Sequence, residues 1–312
     1  MRLYRQLSSV AGAPVAGRVV AIGAFDGLHL GHREILERTM QIAADRQARS
    51  TVFSFEPMPS EFFARDKPPA RLTCLRERVE LLGAFGIDEL CAPQFSAVRR
   101  LAPDEFVREL LVERLGAAEV VVGHDFRFGA GRVGSIEDLV RAGRQHGFGV
   151  TTVEPVYLDG IRISSTAIRE ALARGDLAAA RRMLGRDYSM SGRVVHGLGL
   201  GKNLGFPTAN VNLKRRLAPV DGIFAVRVAG LDSDRALDGV ASVGSRPTVG
   251  GGHTLLEVFI FDFDRDIYGQ YITVSFIERL RAEQKFDDLE AMTQQMHADV
   301  REAQAALRRR IA

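Results

Sequence analysis

Cysteine is scarce: the 312 residues hold two, Cys74 and Cys91. Neither falls in a CxxC pair and no Cys/His ligand spacing surrounds them. They read as two free thiols in a reducing compartment, not as a disulfide framework or a zinc site. Long apolar runs are also lacking, and no uninterrupted stretch approaches the ~20 residues of a membrane-spanning helix. The first residues, MRLYRQLSSVAGAPVAGRVVAIG, have an early arginine and several small residues, but Pro14 and Arg18 break any signal-peptide core. The expectation is a cytoplasmic protein with no membrane partner. Strong charge is missing too. A net charge of +3 and a pI of about 9.1 make the chain only mildly basic. Its arginines are dispersed, apart from Arg308-Arg309-Arg310. A nucleic-acid surface would cluster them among aromatics, so no nucleic-acid partner is expected. Mild positive charge suits small anionic substrates such as nucleotides. Internal repeats and low-complexity segments are absent, and self-association to a homo-oligomer is left open.

What is present is a globular composition, 46% hydrophobic and 26% charged, in a chain long enough for two domains. In the first part, strand patterns at Arg18 to Phe25, Ser50 to Phe55, Glu119 to Gly123 and Val150 to Val156 alternate with helical ones. Those helices are expected from His32 to Arg46, Arg76 to Phe85, Pro103 to Leu115, Ile136 to Gln145 and Ser165 to Ala173. Ser135 with Asp138 spells a capping box. This alternation implies a mostly parallel sheet with helices on both faces. After Gly185 the texture turns to glycines, turns and β-branched residues. Strands are expected near Ser191 to His196, Ile223 to Val228, Asp238 to Val243, Leu255 to Phe261 and Tyr271 to Ile277. They suggest a small antiparallel barrel, closed by a helix from about Asp288 to Arg309 with Asp287 and Glu290 as a capping pair. The boundary is expected between residues 185 and 190, giving domains 1–186 and 187–312.

Two glycine-rich stretches mislead. Gly129-Ala-Gly131-Arg-Val-Gly134 matches GxGxxG, but a dinucleotide fingerprint needs its first glycine at the very end of a strand, and His124 to Phe128 intervene. Gly201-Lys202 lacks the upstream glycine and the following Ser or Thr of a P-loop.

The chemistry concentrates elsewhere. In Gly23-Ala-Phe-Asp-Gly-Leu-His-Leu-Gly-His32 a strand breaks and a helix begins, where backbone N–H groups form an anion site. Gly27 and Gly31 permit close approach of a phosphate, and His29 and His32 add ring donors. Helix capping with core packing, or metal binding, are the competing readings. A second helix start, Ile163-Ser-Ser-Thr-Ala-Ile-Arg169, offers three hydroxyls and an arginine in the first turn, where a helix disfavours positive charge unless an anion is present. Further on, Leu204-Gly-Phe-Pro-Thr-Ala-Asn210 places Thr208 and Asn210 on one face if the chain is extended. Their oxygens suit Mg2+, though an ordinary turn would also use them. Glu257 is the one carboxylate in the apolar Leu255 to Phe261, either facing outward or used chemically.

These segments together carry a family resemblance. GAFDGLHLGH resembles the HxGH signature of the nucleotidyltransferase superfamily, and ISSTAIR the ISSTxIR motif of its adenylyltransferases. VVGHDFRFGAGRVGS resembles a block of the bacterial bifunctional riboflavin kinase/FAD synthetases, and GLGLGKNLGFPTANV their kinase signature. GVASVGSRPTV, LEVFIFDFDRDIYG and RLRAEQKFDDLEAM continue the likeness in order.

The resemblance implies an α/β nucleotidyltransferase domain, Rossmann-like and of HxGH type, followed by a small antiparallel β-barrel riboflavin kinase domain with a C-terminal helix. It implies phosphorylation of riboflavin to FMN and adenylylation of FMN to FAD, with Mg2+ and ATP. His29 and His32 would stabilise charge on the phosphates. Gly23, Phe25 and Gly31 would shape that nucleotide site, and Ser164, Ser165, Thr166 and Arg169 would hold the β,γ-phosphates. Asp125 and Arg127 would line the glycine-rich loop near nucleotide and flavin. Phe55, Phe62, Phe63 and Phe128 are candidates to stack on the flavin, with Phe62 and Phe128 foremost, and core packing is the equal alternative for most of them. Gly205, Pro207, Thr208 and Asn210 would form the Mg-ATP site of the kinase, with Thr208 and Asn210 at the metal and Glu257 as general base. Arg281 and Glu283 would contact the flavin. Ser242 and Phe259 depart from the Asn and His that many relatives carry.

Overall fold

A computed structural model describes residues 1–10, 17–64, 66, 68–197, 205–231, 235–246 and 253–310. The chain forms two compact units: Met1–Pro69 with Leu75–Ser164, and Ala70–Cys74 with Ser165–Ala312.

The first unit is a six-stranded parallel sheet. Its strands are β1 (Arg2–Tyr4), β2 (Arg18–Ile22), β3 (Arg49–Phe53), β4 (Glu89–Cys91), β5 (Ala117–Gly123) and β6 (Gly149–Val153), in the order β1-β4-β3-β2-β5-β6. The helices are α1 (Leu30–Asp45), α2 (Pro59–Phe63), α3 (Leu75–Phe85), α4 (opening at Pro103–Glu105 and continuing π-wound over Phe106–Arg114) and α5 (Ile136–His146). A short hairpin of β7 (Tyr157–Leu158) and β8 (Ile161–Arg162) follows. The strands are apolar on both faces, as a covered parallel sheet requires. Val20, Ile22, Phe53, Val120 and Val122 share a core with Phe106, Leu110 and Leu139. Ala21, Val52 and Leu90 share another with Phe25, Leu36 and Leu82. From β2 the chain moves through β3 to β4 on one side, then crosses to β5 and β6 on the other. The carboxyl ends of β2 and β5 therefore flank the topological switch point, where open α/β sheets bind ligands.

At the opposite, amino ends of the strands lies a buried ion pair. Arg18 Nε meets Glu89 Oε2 at 2.7 Å, each side chain 2% exposed. Thr51 Oγ1 donates to the same carboxylate oxygen, and Arg18 Nη1 donates to the Leu115 carbonyl. Removing one partner strands the other charge in the core, so Glu89→Ala is expected to cost about 3–5 kcal/mol of stability. Urea denaturation with an unchanged midpoint would refute this.

After the segment Ala70–Cys74, the second unit runs through α6 (Ser165–Ala173) and α7 (Leu177–Leu184) into a closed barrel. Its strands are β9 (Ser189–Val195), β10 (Thr208–Asn212), β11 (Gly222–Ala229), β12 (Leu237–Arg246), β13 (His253–Ile260) and β14 (Tyr271–Arg281), all pairing antiparallel in the order β10-β13-β12-β11-β14-β9. Side chains alternate. Val211, Ala241, Val243, Leu256 and Val258 are buried in the strands, while Ala225 and Ile277 join Ala303, Ala306 and Leu307 of the C-terminal helix, Leu289–Arg309. The division in space falls at Ser164/Ser165, ahead of the change in sequence texture near residue 186. The cause is that α6 and α7 pack with each other and α7 packs on β14.

Several boundaries differ from the sequence expectation. Strand β2 stops at Ile22, and Phe25 beyond it has left the extended conformation, with a left-handed φ of 50°. Strands β3 and β6 end at Phe53 and Val153, before Phe55 and Val156. The last helix is capped by Asp288, whose carboxylate accepts the Ala291 N–H at 2.7 Å, and not by Asp287. The Ser135/Asp138 capping box is present.

Candidate active sites

The loop after β2 makes a tight reversal. Phe25, Gly27 and Leu28 all take positive φ, at 50°, 84° and 39°. Phe25 is wholly buried, and its ring lies 5.1 Å from that of His32. His29 is the N-cap of α1: its Nδ1 accepts the His32 N–H at 3.2 Å. Capping is therefore one real job of this histidine. It also has a chemical consequence, because an imidazole that accepts at Nδ1 carries its proton at Nε2, as a donor. The two rings stack at 3.7 Å, with His29 6% exposed. Gly31 gives this stack its space. A Cβ there would lie 3.3 Å from the His29 ring and 3.7 Å from the Ile163 carbonyl. A Cβ on Gly23 would lie 3.1 Å from the Phe25 ring. The Ile163 contact brings the residue before Ser164 against the start of α1.

The loop after β5 stands at the same end of the sheet. Asp125 lies beside Gly123, whose Cβ would be 3.6 Å from Asp125 Oδ1 and 3.9 Å from Ile35 of α1. Arg162, on β8, donates to Asp125 at 2.8 Å. That hydrogen bond holds the Asp125 carboxyl below the usual carboxylate range. Arg162 was not expected, since its partner lies 37 residues away along the chain. Arg127 is exposed, whereas Phe128 is 4% exposed and packs on Phe106 and Phe126 as core. Phe62 is half-buried among Phe63 and Phe95, with the Arg99 guanidinium 5.5 Å from its ring centroid. The GxGxxG glycines serve packing: a Cβ on Gly129 would strike Pro103, and one on Gly134 would strike the Phe128 ring, each at 2.9 Å.

Ser165, Thr166 and Arg169 occupy the first turns of α6, in the second unit, and Thr166 is exposed. Arg169 Nε donates to the Ala70 carbonyl at 2.6 Å. Ala70 opens the short strap Ala70–Cys74. The strap is held further by Arg215, which donates to the Arg71 carbonyl at 3.1 Å, and by Cys74 Sγ, which donates to the Leu213 carbonyl at 3.6 Å. A carbonyl dipole thus meets the arginine whose position at a helix start had suggested an anion.

On the barrel, the stretch around Thr208 is a strand. Register places Asn210 of β10 opposite Glu257 of β13, and Glu257 opposite Ser242 of β12. These three side chains form one polar row across adjacent strands, on the same face as Thr208 and Phe259. The row is half-buried. Gly197 leaves room beside it: a Cβ there would fall 2.1 Å from the Asn210 amide, which would have to move. Ser242 Oγ donates to Glu283 at 3.2 Å, and Gly244 leaves room for the same carboxylate. Phe206 packs edge-on against Phe259 and His297, next to exposed Gly205 and Pro207. Arg281 makes a bidentate pair with Asp299, at 2.8 and 2.7 Å, which docks the C-terminal helix. Residues 198–204 and 247–249 of the matching motifs lie outside the described residues.

Comparison with known proteins agrees with both halves of this geometry. The FAD synthetase family model matches residues 13–167, and the riboflavin kinase family model matches residues 184–307. The chain is 44% identical to the bifunctional riboflavin kinase/FMN adenylyltransferase of Escherichia coli (strain K12), over 96% of each chain. It is 45% identical to the protein of the same description from Pseudomonas fluorescens, over 93% of each. It also resembles a crystal structure described as a macrolide-efflux protein from Streptococcus pneumoniae. That match has a TM-score of 0.79 and 31% identity over 95% of this chain and 96% of that one. In the present chain no helix among the described residues is long and apolar enough to cross a membrane. With both family models matched in order and near-full-length identity above 40%, the chain belongs to the bifunctional riboflavin kinase/FMN adenylyltransferase family.

Proposed function

We propose that this chain converts riboflavin to FMN and FMN to FAD, using ATP in both steps, in a reducing cytoplasm. Residues 187–312 carry the kinase step and residues 1–186 the adenylyl step. The reading is carried by the coexistence, in one chain, of a His-capped helix start at a parallel-sheet switch point and an Asn210–Glu257–Ser242 row on a barrel.

In the kinase step, the Glu257 carboxylate takes the proton of the riboflavin 5′-hydroxyl as that oxygen bonds to the γ-phosphorus of ATP. The bond to the bridging oxygen breaks, and ADP leaves. The Thr208 hydroxyl and Asn210 amide oxygen are hard donors on one strand face, and the space over Gly197 accommodates the amide, so this pair fits Mg2+. The ion, when bound, offsets charge on the ATP phosphates. Gly205 and Pro207 shape the turn beside them. Glu283, held by Ser242, acts on the flavin side, and Arg281 anchors the same segment to the helix.

In the adenylyl step, an FMN phosphate oxygen bonds to the α-phosphorus of ATP, and the bond to the departing pyrophosphate breaks. No covalent enzyme nucleophile is required; positioning and charge stabilisation carry the rate. His29 and His32 donate to the phosphate oxygens. Ser164, Ser165, Thr166 and Arg169 hold the β,γ-phosphates. Asp125, Arg127 and Phe62 border the flavin, with Phe128 packed as core behind them, while Gly23, Phe25 and Gly31 keep the His29 loop in shape.

The test is to incubate the chain with riboflavin and Mg-ATP and resolve the flavins. FMN and then FAD are expected, EDTA should stop both, and added Mg2+ should restore both. Absence of both products sinks the reading.

A further inference from the structure

Arg78 of α3 is completely buried, an unusual place for an arginine. It spreads its guanidinium across the carboxyl ends of two strands. Nη1 donates to the Ala24 carbonyl at 3.0 Å and to Ser54 Oγ at 2.9 Å, and Nη2 donates to the Phe55 carbonyl at 3.3 Å and to Glu56 at 2.5 Å. Ser54 Oγ also donates to the Ala24 carbonyl, at 3.1 Å, closing a triangle. Ala24 is the first residue of the reversal that ends at His29.

That reversal holds two non-glycine residues at positive φ, Phe25 and Leu28, which local preference does not support. It persists because both ends are tied. The far end is tied by the His29 cap, and the near end by Arg78 and Ser54. A buried ion pair rarely stabilises more than a well-packed apolar substitute would. What a guanidinium adds is a fixed planar fork, which lysine cannot reproduce.

We propose that Arg78 is a positioning residue for adenylyl transfer: by fixing the Ala24 carbonyl against Ser54 and Glu56, it sets where His29 and His32 stand. The proposal rests on the adenylyl-transfer reading of that loop. Barrel chemistry in the same chain supplies an internal control, since riboflavin phosphorylation uses none of these residues.

The experiment uses full-length Arg78→Met, Arg78→Lys and Ser54→Ala. Each is assayed for FMN-to-FAD conversion and for riboflavin phosphorylation, at a temperature well below its own melting point. Arg78→Met is expected to lower the adenylyl kcat by about 100-fold, the scale set by a displacement of about 1 Å in a catalytic group. KM for FMN and ATP should stay within about threefold, because the loss is in the transition state. Arg78→Lys should recover part of the rate, and Ser54→Ala should lose about tenfold, a smaller displacement on the same scale. A purely structural role would lower the melting temperature yet leave kcat intact in the cold. An Arg78→Met chain with near-normal adenylyl kcat, beside a working wild type, overturns this inference alone. If Arg78→Met loses both activities, Ser54→Ala decides, and an unchanged kcat there overturns it. A wild-type chain inert towards FMN overturns the adenylyl reading and this inference with it.

Discussion

His29→Ala is expected to stop flavin conversion at FMN, with riboflavin phosphorylation intact. The adenylyl kcat should fall by about 100- to 1,000-fold, the usual effect of removing one preorganised donor to developing charge. The histidine does two things, and the substitution removes both. Its Nδ1 caps α1 through the His32 N–H, and its ring stacks on that of His32. Loss of a cap costs about 0.5–2 kcal/mol of stability. His29→Asn separates the roles, since asparagine caps well but carries no imidazole. It should regain the thermal stability that alanine loses and remain as poor in FAD formation. If asparagine restores the rate, His29 is a cap only and the donor assignment fails. If His29→Ala abolishes FMN formation, the assignment of the two activities to the two regions is wrong.

Glu257→Gln is the second large effect, and it should act on the other activity. Riboflavin phosphorylation is expected to fall by about 100- to 10,000-fold, the range for loss of a positioned base. FMN supplied directly should still become FAD at the normal rate. Glutamine keeps the size and the cross-strand place between Asn210 and Ser242 while removing the carboxylate's charge and its capacity to accept a proton. Retention of most kinase activity would show that the proton leaves by another route. Glu283, which lies just beyond β14 and accepts from Ser242 of β12, would be the first group to test.

How far the sequence revealed this molecule depended on how local each determinant is. Helix α6 was legible over its full span because its start signals and apolar spacing are contained within Ser165–Ala173. Strands β1 and β4 were not, because three residues carry no periodicity and become strands only by pairing with each other and with β3. Strand β10 was read as a turn-rich stretch. Thr-Ala-Asn-Val-Asn has little strand preference, and its extension comes from pairing with β9 and β13. The candidate site residues come from motifs, but the companions that the structure gives them do not. Arg162, Ser54 and Arg78 reach their partners across loops and helices that no local pattern encodes. Arg281 shows the converse: the motif marks the residue, while its bidentate pairing with Asp299 of the last helix is visible only in three dimensions.

The strap Ala70–Cys74 has a consequence for dissecting this protein. Its flanks belong to the first compact unit, yet its own backbone carbonyls are gripped by Arg169 and Arg215 of the second. The second unit is thus discontinuous along the chain, and no single cut can release both units whole. A fragment beginning at residue 187 forfeits the strap and helices α6 and α7. A fragment ending at residue 186 keeps all three but leaves α7 without β14 and the strap without Arg215.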